Sequence, residues 1–402
     1  MITCHLLGGL GNQLFQIFTT IAYSIQSKQS FGFLNSYSVD GCTERHTYWN
    51  TFLLNLKMFT YDKLNEEFEI IGEKNFRYSK LPINNSEGND CEKKSKKLIG
   101  YFQSYRYFEY YFDNICSIMS LSYLKKQMTN EYSQYFSGEN LISMHFRLGD
   151  YKKLPDYHPI LPVEYYIESL KKIFEILKKR KDIDNKKTCT KLKISNGILS
   201  SVPQNVKREP LHVNQLKETS ALKETSTLKE TSALNETYAL KKTSALNETS
   251  ALKETSTLKE TSALKETSTL KETSALKETS GLKETSTLKE TSVSNVKLYN
   301  ILYFCEKEDN EDVELKIEVL KKEFPTIEFI KADDSIEDWK QMILMSCCKH
   351  NIIANSSFSW WGGHFNLDKE KIVCYPKIWF GSKLTHHVLD DLFPPSWNKI
   401  DF

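Results

Sequence analysis

The stretch Leu141-Ile-Ser-Met-His145-Phe-Arg147-Leu-Gly149-Asp150-Tyr151 decides how the chain is read. Leu141 to Met144 is a short apolar run behind Ser137-Gly138, the pattern of a buried strand. His145, Arg147 and Asp150 follow where the run ends, and Gly149 permits a tight turn. In open α/β sheets, ligands bind at the carboxyl ends of strands. An Arg there suits a phosphate, because its charge does not titrate away and its planar fork bonds two oxygens at once. The plainer alternative is a strand-end Arg147 paired with Asp150, beside a half-buried His145.

Upstream, Ile2 to Leu7 reads as a first strand, followed by the glycine-rich turn Gly8-Gly-Leu-Gly-Asn-Gln13. Leu14, Phe15, Phe18, Ile21, Ala22 and Ile25 then recur at helical spacing to about Ser27. Strand, glycine turn and helix start together suit an anion or a sugar diphosphate. The dinucleotide fingerprint fails, since Leu14 stands where the third glycine belongs. A tight turn explains Gly8, Gly9 and Gly11 but not Asn12-Gln13, whose amides are suited to hydroxyl-rich ligands. Phe31 to Leu34 reads as a second strand. Residues 40 to 98 look irregular, with a polar surface loop at Asn84–Asp90. Leu98 to Ser104 reads as a strand, the aromatic-rich Tyr105 to Phe112 as core, and a helix follows to about Tyr135.

Downstream, Pro162 opens a helix to about Lys181, with Ile167, Leu170, Ile173, Phe174 and Leu177 on one face. Strands are expected at Leu298–Phe304, Thr326–Ile330, Asn351–Ala354 and Lys371–Tyr375, with helices at Val313–Phe324 and at Ser335–Cys348, the latter capped by Ser335 or Asp334. This βαβα order predicts a parallel sheet in each half. Asn355 to Gly363 then places a serine cluster at a strand end and helix start, where hydroxyls and backbone N–H groups would converge on an anion. An N-cap serine followed by core tryptophans explains Ser356 or Ser357 alone, but not a serine on both sides of Phe358.

Between the helix and the Leu298 strand, from Leu216 to Ser292, the hexapeptide Leu-Lys-Glu-Thr-Ser-(Ala/Thr) recurs thirteen times with small variations. A six-residue period spreads successive leucines around a helix, so no apolar face forms. A solvated, disordered insertion is expected. Asp182-Ile-Asp184, at its edge, reads as part of a charge run rather than a metal site.

The 402 residues leave roughly 290 outside the low-complexity block, enough for two domains. A net charge of +2 argues against nucleic acid as main partner. No apolar run is long enough to span a bilayer, and the N-terminus lacks the basic and apolar regions of a signal peptide. The nine scattered cysteines read as reduced thiols of a cytoplasmic chain, and none has zinc-site spacing.

Gly8-Gly-Leu-Gly-Asn-Gln-Leu-Phe-Gln16, His145-Phe-Arg-Leu-Gly-Asp-Tyr151 and Ser356-Ser-Phe-Ser-Trp-Trp-Gly362 closely resemble the motifs of glycosyltransferase family 11, the α-1,2-fucosyltransferases. Gly100-Tyr-Phe-Gln-Ser104, Leu161-Pro-Val-Glu-Tyr-Tyr166 and Cys348-Lys-His-Asn-Ile-Ile-Ala354 look like further family segments. The resemblance covers about residues 1 to 180 and 297 to 395, and not the repeat. It implies an α/β, GT-B-like fold of two Rossmann-like domains facing across a cleft, interrupted by the low-complexity hexapeptide-repeat insertion. The domains would be 1–138 on the acceptor side and 139–182 with 297–395 on the donor side, with 183–296 as the disordered insertion.

The resemblance further implies an inverting transfer of L-fucose from GDP-β-L-fucose to the 2-hydroxyl of a terminal β-galactoside, on a glycan or glycoconjugate, with no metal or other cofactor. Arg147 matches the Arg placed on the donor diphosphate, His145 its motif neighbour, and Ser357, Phe358 and Ser359 the phosphate-side segment. Asn12 matches a residue facing fucose or acceptor. The base is left open: Asp150 is the nearest motif carboxylate but could instead orient Arg147, and Asp338 could serve guanine or the fold. Animal relatives carry an N-terminal anchor; this chain resembles the soluble form, with peripheral contact to a membrane surface left open. A fucosyltransferase with another acceptor, and a repeat-bearing scaffold on an inactive transferase fold, stand as alternatives.

Overall fold

The computed structural model describes residues 1–39, 45–64, 67–83, 94–136, 140–197 and 299–402. The hexapeptide repeat and the polar loop at Asn84–Asp90 lie outside these residues. The rest forms one compact unit, Met1–Lys193 with Asn295–Phe402.

The first half contains strands β1 (Ile2–Cys4), β2 (Phe33–Leu34), β3 (Ser38–Val39), β4 (Arg45–His46), β5 (Thr60–Tyr61), β6 (Phe68–Gly72) and β7 (Ser95–Ile99). Its main sheet is parallel, ordered β1-β7-β6, with Ile2 opposite Lys96 and Cys4 opposite Leu98. Phe31 bridges to Ile2, β2 pairs with β5, and β3 and β4 form an antiparallel pair. The helices here are α1 (Leu10–Ser27), α2 (Phe112–Ile118) and α3 (Leu121–Glu131). Two expectations fail in this half. Residues 40 to 98 are not irregular throughout, since β4 to β7 fall among them; β6 is an edge strand with Ile70 exposed, so it lacks a buried run's pattern. The strand expected to reach Ser104 stops at Ile99, because Gly100 (φ +148) and Phe102 (φ +52) turn the chain out of the ladder.

The second half adds β8 (Leu141–His145), β9 (Asn300–Phe304), β10 (Phe329–Lys331), β11 (His350–Ile352), β12 (Val373–Pro376) and β13 (Asn398–Ile400). They form a six-stranded parallel sheet ordered β10-β9-β8-β11-β12-β13. Counted from β8 as strand 1, this is the doubly wound order 3-2-1-4-5-6 of nucleotide-binding sheets. The helices are α4 (Val163–Gly197), α5 (Asn310–Glu323), α6 (Asp338–Cys347) and α7 (Ser357–His364). Alternation along the strands sorts the core. Ile142, Met144, Ile301 and Tyr303 pack with Tyr165, Leu170 and Ile317 of α4 and α5. Leu141, Leu302 and Phe304 join the other core, with Met342 to Met345 of α6 and Trp360 and Trp361 of α7. Helices therefore cover both faces, as an all-parallel sheet requires.

α4 runs past its expected end near Lys181 into the segment assigned to the insertion; Lys-rich sequence is compatible with helix even without an apolar face. α6 starts at Asp338, later than expected, because the Asp333 carboxylate accepts from both the backbone N–H (2.8 Å) and the hydroxyl (2.6 Å) of Ser335 and so closes a local turn. No helix among the described residues is long and apolar enough to cross a membrane.

Candidate active site

Strand order locates the site. β8 and β11 are neighbours, but the chain leaves β8 for β9 on one side and β11 for β12 on the other. At such a switch point the loops beyond the carboxyl ends diverge and leave a crevice. Here the loop after β8 carries Arg147 and Asp150, and the loop after β11 carries Asn355 to Ser357. All of these line a cleft of about 520 Å³. The cleft is closed on its other side by Gly9 to Asn12, at the start of α1.

The glycine and serine motifs, far apart in sequence, touch directly. A Cβ on Gly11 would come within 2.4 Å of the Ser357 carbonyl carbon and 2.6 Å of the Phe358 nitrogen, so only glycine lets the two helix starts approach this closely. Trp361 Nε1 donates to the Gly11 carbonyl at 2.8 Å, and the Ser357 hydroxyl donates to Asn12 Oδ1 at 2.7 Å. Below them Phe15 and Phe18 of α1 meet Trp360 and Trp361 at centroid distances of 4.5 and 4.6 Å. Two helix N-termini thus open on one cleft, and the first-turn N–H groups of each add partial positive charge.

The three serines do not converge as expected. Ser356 is the N-cap, accepting from Phe358 N at 3.3 Å. Ser357 is bonded to Asn12. Ser359 is buried, with its hydroxyl turned back to the carbonyls of Ala354 (3.3 Å) and Ser356 (3.4 Å), and it does not line the cleft. One helical turn past the cap, a short hydroxyl reaches backbone more readily than solvent.

Arg147 is largely buried and held from two sides. Asp150 lies at 2.5 Å from one guanidinium nitrogen, and Glu306 forms an ion pair with the other. The guanidinium also sits 5.2 Å over the Tyr151 ring. Asp150 in turn pairs with Arg45 at 3.6 Å, bringing a second guanidinium to the cleft wall. The loop is clamped from below: Asp309, buried, accepts from Gly149 N at 2.6 Å and from Lys152 at 2.8 Å. His145 is buried rather than half-buried, with its ring 5.6 Å from that of Phe358. Burial, reinforced by the Arg147 charge, pushes its pKa down to about 3, so the imidazole is neutral at ordinary pH. Its Nδ1 has no hydrogen-bond partner among the described residues.

Asp338, the first residue of α6, lines the same cleft and accepts a hydrogen bond from the Tyr48 hydroxyl. Burial, with Asp338 beside it, raises the Tyr48 pKa, so the phenol stays protonated and donates. The structure therefore gathers Asn12, His145, Arg147, Asp150, Asp338, Ser357 and Phe358 around one cleft and leaves out Ser359. Sequence reasoning missed Arg45, Tyr48, Gln103 and Glu306. Glu306 was within reach, because it follows β9 just as Arg147 follows β8. Arg45 and Tyr48 sit in a segment with no strand or helix signal, and Gln103 sits in one that reads as a strand but turns out of the ladder at Gly100.

Residues 313–401 match the sequence model of glycosyl transferase family 11. The match runs from α5 to β13 and includes Asp338 and the serine motif, while Asn12, His145 and Arg147 lie upstream of it. The chain is also 56% identical over 48 residues to the O-antigen biosynthesis glycosyltransferase WbnK of Escherichia coli, a stretch covering 11% of this chain and 16% of that protein. The chain thus spans only a small part of the length of the curated relative that it matches. No solved structure matches.

Proposed function

We propose that the protein transfers L-fucose from GDP-β-L-fucose to the 2-hydroxyl of a terminal β-galactoside, with inversion. The observation that carries this reading is the meeting of two helix N-termini beside Arg147 at the switch point of a doubly wound sheet. In this reading the two sheets play the parts of the GT-B pair, with the donor on the six-stranded half and the acceptor toward the first. The inserted repeat, metal independence and a cytoplasmic location belong to the same proposal.

The chemistry follows from charge. As the C1–O bond to GDP breaks, negative charge grows on the diphosphate and positive charge on the sugar ring. Arg147 and the α7 start would stabilise the departing diphosphate, an effect that counts only where charge develops. The diphosphate would compete with Asp150 and Glu306 for the guanidinium. Both carboxylates sit on the leaving-group side in this reading, which argues for Asp150 orienting Arg147 rather than taking the proton of a hydroxyl attacking from the opposite face. Asp338 is suited to the N–H groups of guanine, with Tyr48 fixing its carboxylate.

The test is transfer to lactose from GDP-fucose, with GDP-mannose and UDP-galactose as donor controls, with and without EDTA, and with linkage read by NMR. Transfer to the galactose 2-hydroxyl, unaffected by EDTA and reduced at least about hundredfold in Arg147→Ala, is the expected result. Transfer from UDP-galactose instead would overturn the donor assignment. GDP binding without transfer to lactose would favour a different acceptor, such as the glycans implied by the name of the O-antigen relative.

A further inference from the structure

The turn Gly100–Ser104 has a backbone its sequence does not favour. Phe102 is buried and holds φ +52, a conformation costly for a bulky side chain. Gly100 stands at φ +148, and a Cβ there would lie 2.4 Å from the Glu73 Cβ. The Glu73 carboxylate holds the turn, accepting from Tyr101 N at 2.8 Å and Phe102 N at 3.0 Å. At the far end the Ser104 hydroxyl donates to the Asp391 carbonyl at 2.6 Å. Between these anchors the half-buried Gln103 is delivered to the cleft wall, where Nε2 donates to Asn12 Oδ1 at 2.8 Å.

Asn12 Oδ1 therefore receives two hydrogen bonds, from Gln103 and from Ser357. An amide whose oxygen is doubly occupied has its orientation fixed and is left with its N–H groups to offer. Of the two partners, only the Gln103 amide nitrogen is obliged to donate; the Ser357 hydroxyl can rotate and accept. We infer that Gln103 is a positioning residue that sets Asn12 as a hydrogen-bond donor toward the bound sugar, and that the strained turn exists to hold it there. This rests on the sugar-transfer reading of the cleft.

The test uses the full chain with Gln103→Ala and Gln103→Glu. GDP affinity is measured by calorimetry, and turnover is measured as GDP release from GDP-fucose with and without lactose, from pH 5.5 to 8.5. Gln103→Ala is expected to lower kcat/KM about tenfold to hundredfold. GDP affinity should be unchanged, because Arg147 and the α7 start are untouched. A glutamate keeps the shape but donates only when protonated. The ratio of Gln103→Glu to wild-type activity should therefore rise as pH falls, a signature that a merely structural role would not give. A flat ratio, or wild-type turnover in Gln103→Ala, overturns the inference alone. If Gln103→Ala does not fold, the pH ratio of the glutamate variant decides. Wild-type chain that binds no GDP, or binds it without turning over GDP-fucose on lactose or on an O-antigen glycan, overturns the sugar-transfer reading and this inference with it.

Discussion

The two helices that meet at the cleft are built in opposite ways. α1 begins at Gly9 with no side-chain cap and buries a row of polar residues. Gln13 donates to the carbonyls of Gly8 and His46, and Gln16 accepts from Leu7 N at 2.9 Å while donating to Gly100 at 3.1 Å. α7 begins with a serine cap and buries two tryptophans and a histidine ring stack. Both helices face the same cleft, but α1 stitches its neighbouring loops together through amides, whereas α7 is fixed by aromatic packing. The difference teaches that α1 organises segments with little structure of their own, whereas α7 needs anchoring because it is a short helix of eight residues.

The contrast can be tested most severely at Trp361. Trp361→Ala removes the packing against Phe15 and Phe18 together with the bond to Gly11, and should cost about 3–5 kcal/mol in urea unfolding. A cost near 1 kcal/mol would mean that aromatic packing does not anchor α7. A second test uses acid, which should attack α7 and spare α1, a helix without histidine. His364 is stacked on Trp360 at 4.4 Å with Nε2 unpartnered among the described residues, and burial, then Lys371, holds its pKa well below the usual value. His145 is likewise pushed down to about 3, and His350 to about 4. Each is neutral in the fold and takes up a proton once unfolded. Their contribution is therefore fully present above about pH 6.5 and is lost as pH falls towards the folded values, at roughly 1.4 kcal/mol per unit for each group. His364→Phe should flatten this acid limb, and hydrogen exchange in α7 should rise before that in α1. The smallest effect is at the cap: Ser356→Ala should lower stability by about 1 kcal/mol and weaken GDP binding slightly, whereas no cap residue exists at α1 to remove.

The same division explains what could be read in advance. The central strands β8, β9, β11 and β12 were legible because they are buried and appear as apolar runs, two of them ending in Arg147 and in the serine cluster, whereas the half-exposed edge strand β13 was not expected. The plainer reading of Ser356 as a cap and of Trp360 and Trp361 as core, set aside in favour of a three-serine cradle, is the one that the structure bears out. In the first half the decisive features are not local. β6 is half exposed, the positive φ of Phe102 is imposed by Glu73 from another segment, and Tyr48 matters only because Asp338 lies beside it in space. Nothing within a few residues of any of these announces its partner. Ser359 shows the opposite error: three hydroxyls in a row invited a shared role, and helix geometry sent one of them away from the cleft.

The contact of Gly11 with the Ser357–Phe358 peptide has a mechanical consequence. With no side chain between them, the two backbones are too close to slide, so the sheets cannot part at this point without breaking the Trp361 and Asn12 bonds as well. Tyr48 with Asp338 and Arg106 with Asp391 tie the first half to the second at two further places, so this contact is one rivet of a seam rather than a lone weld.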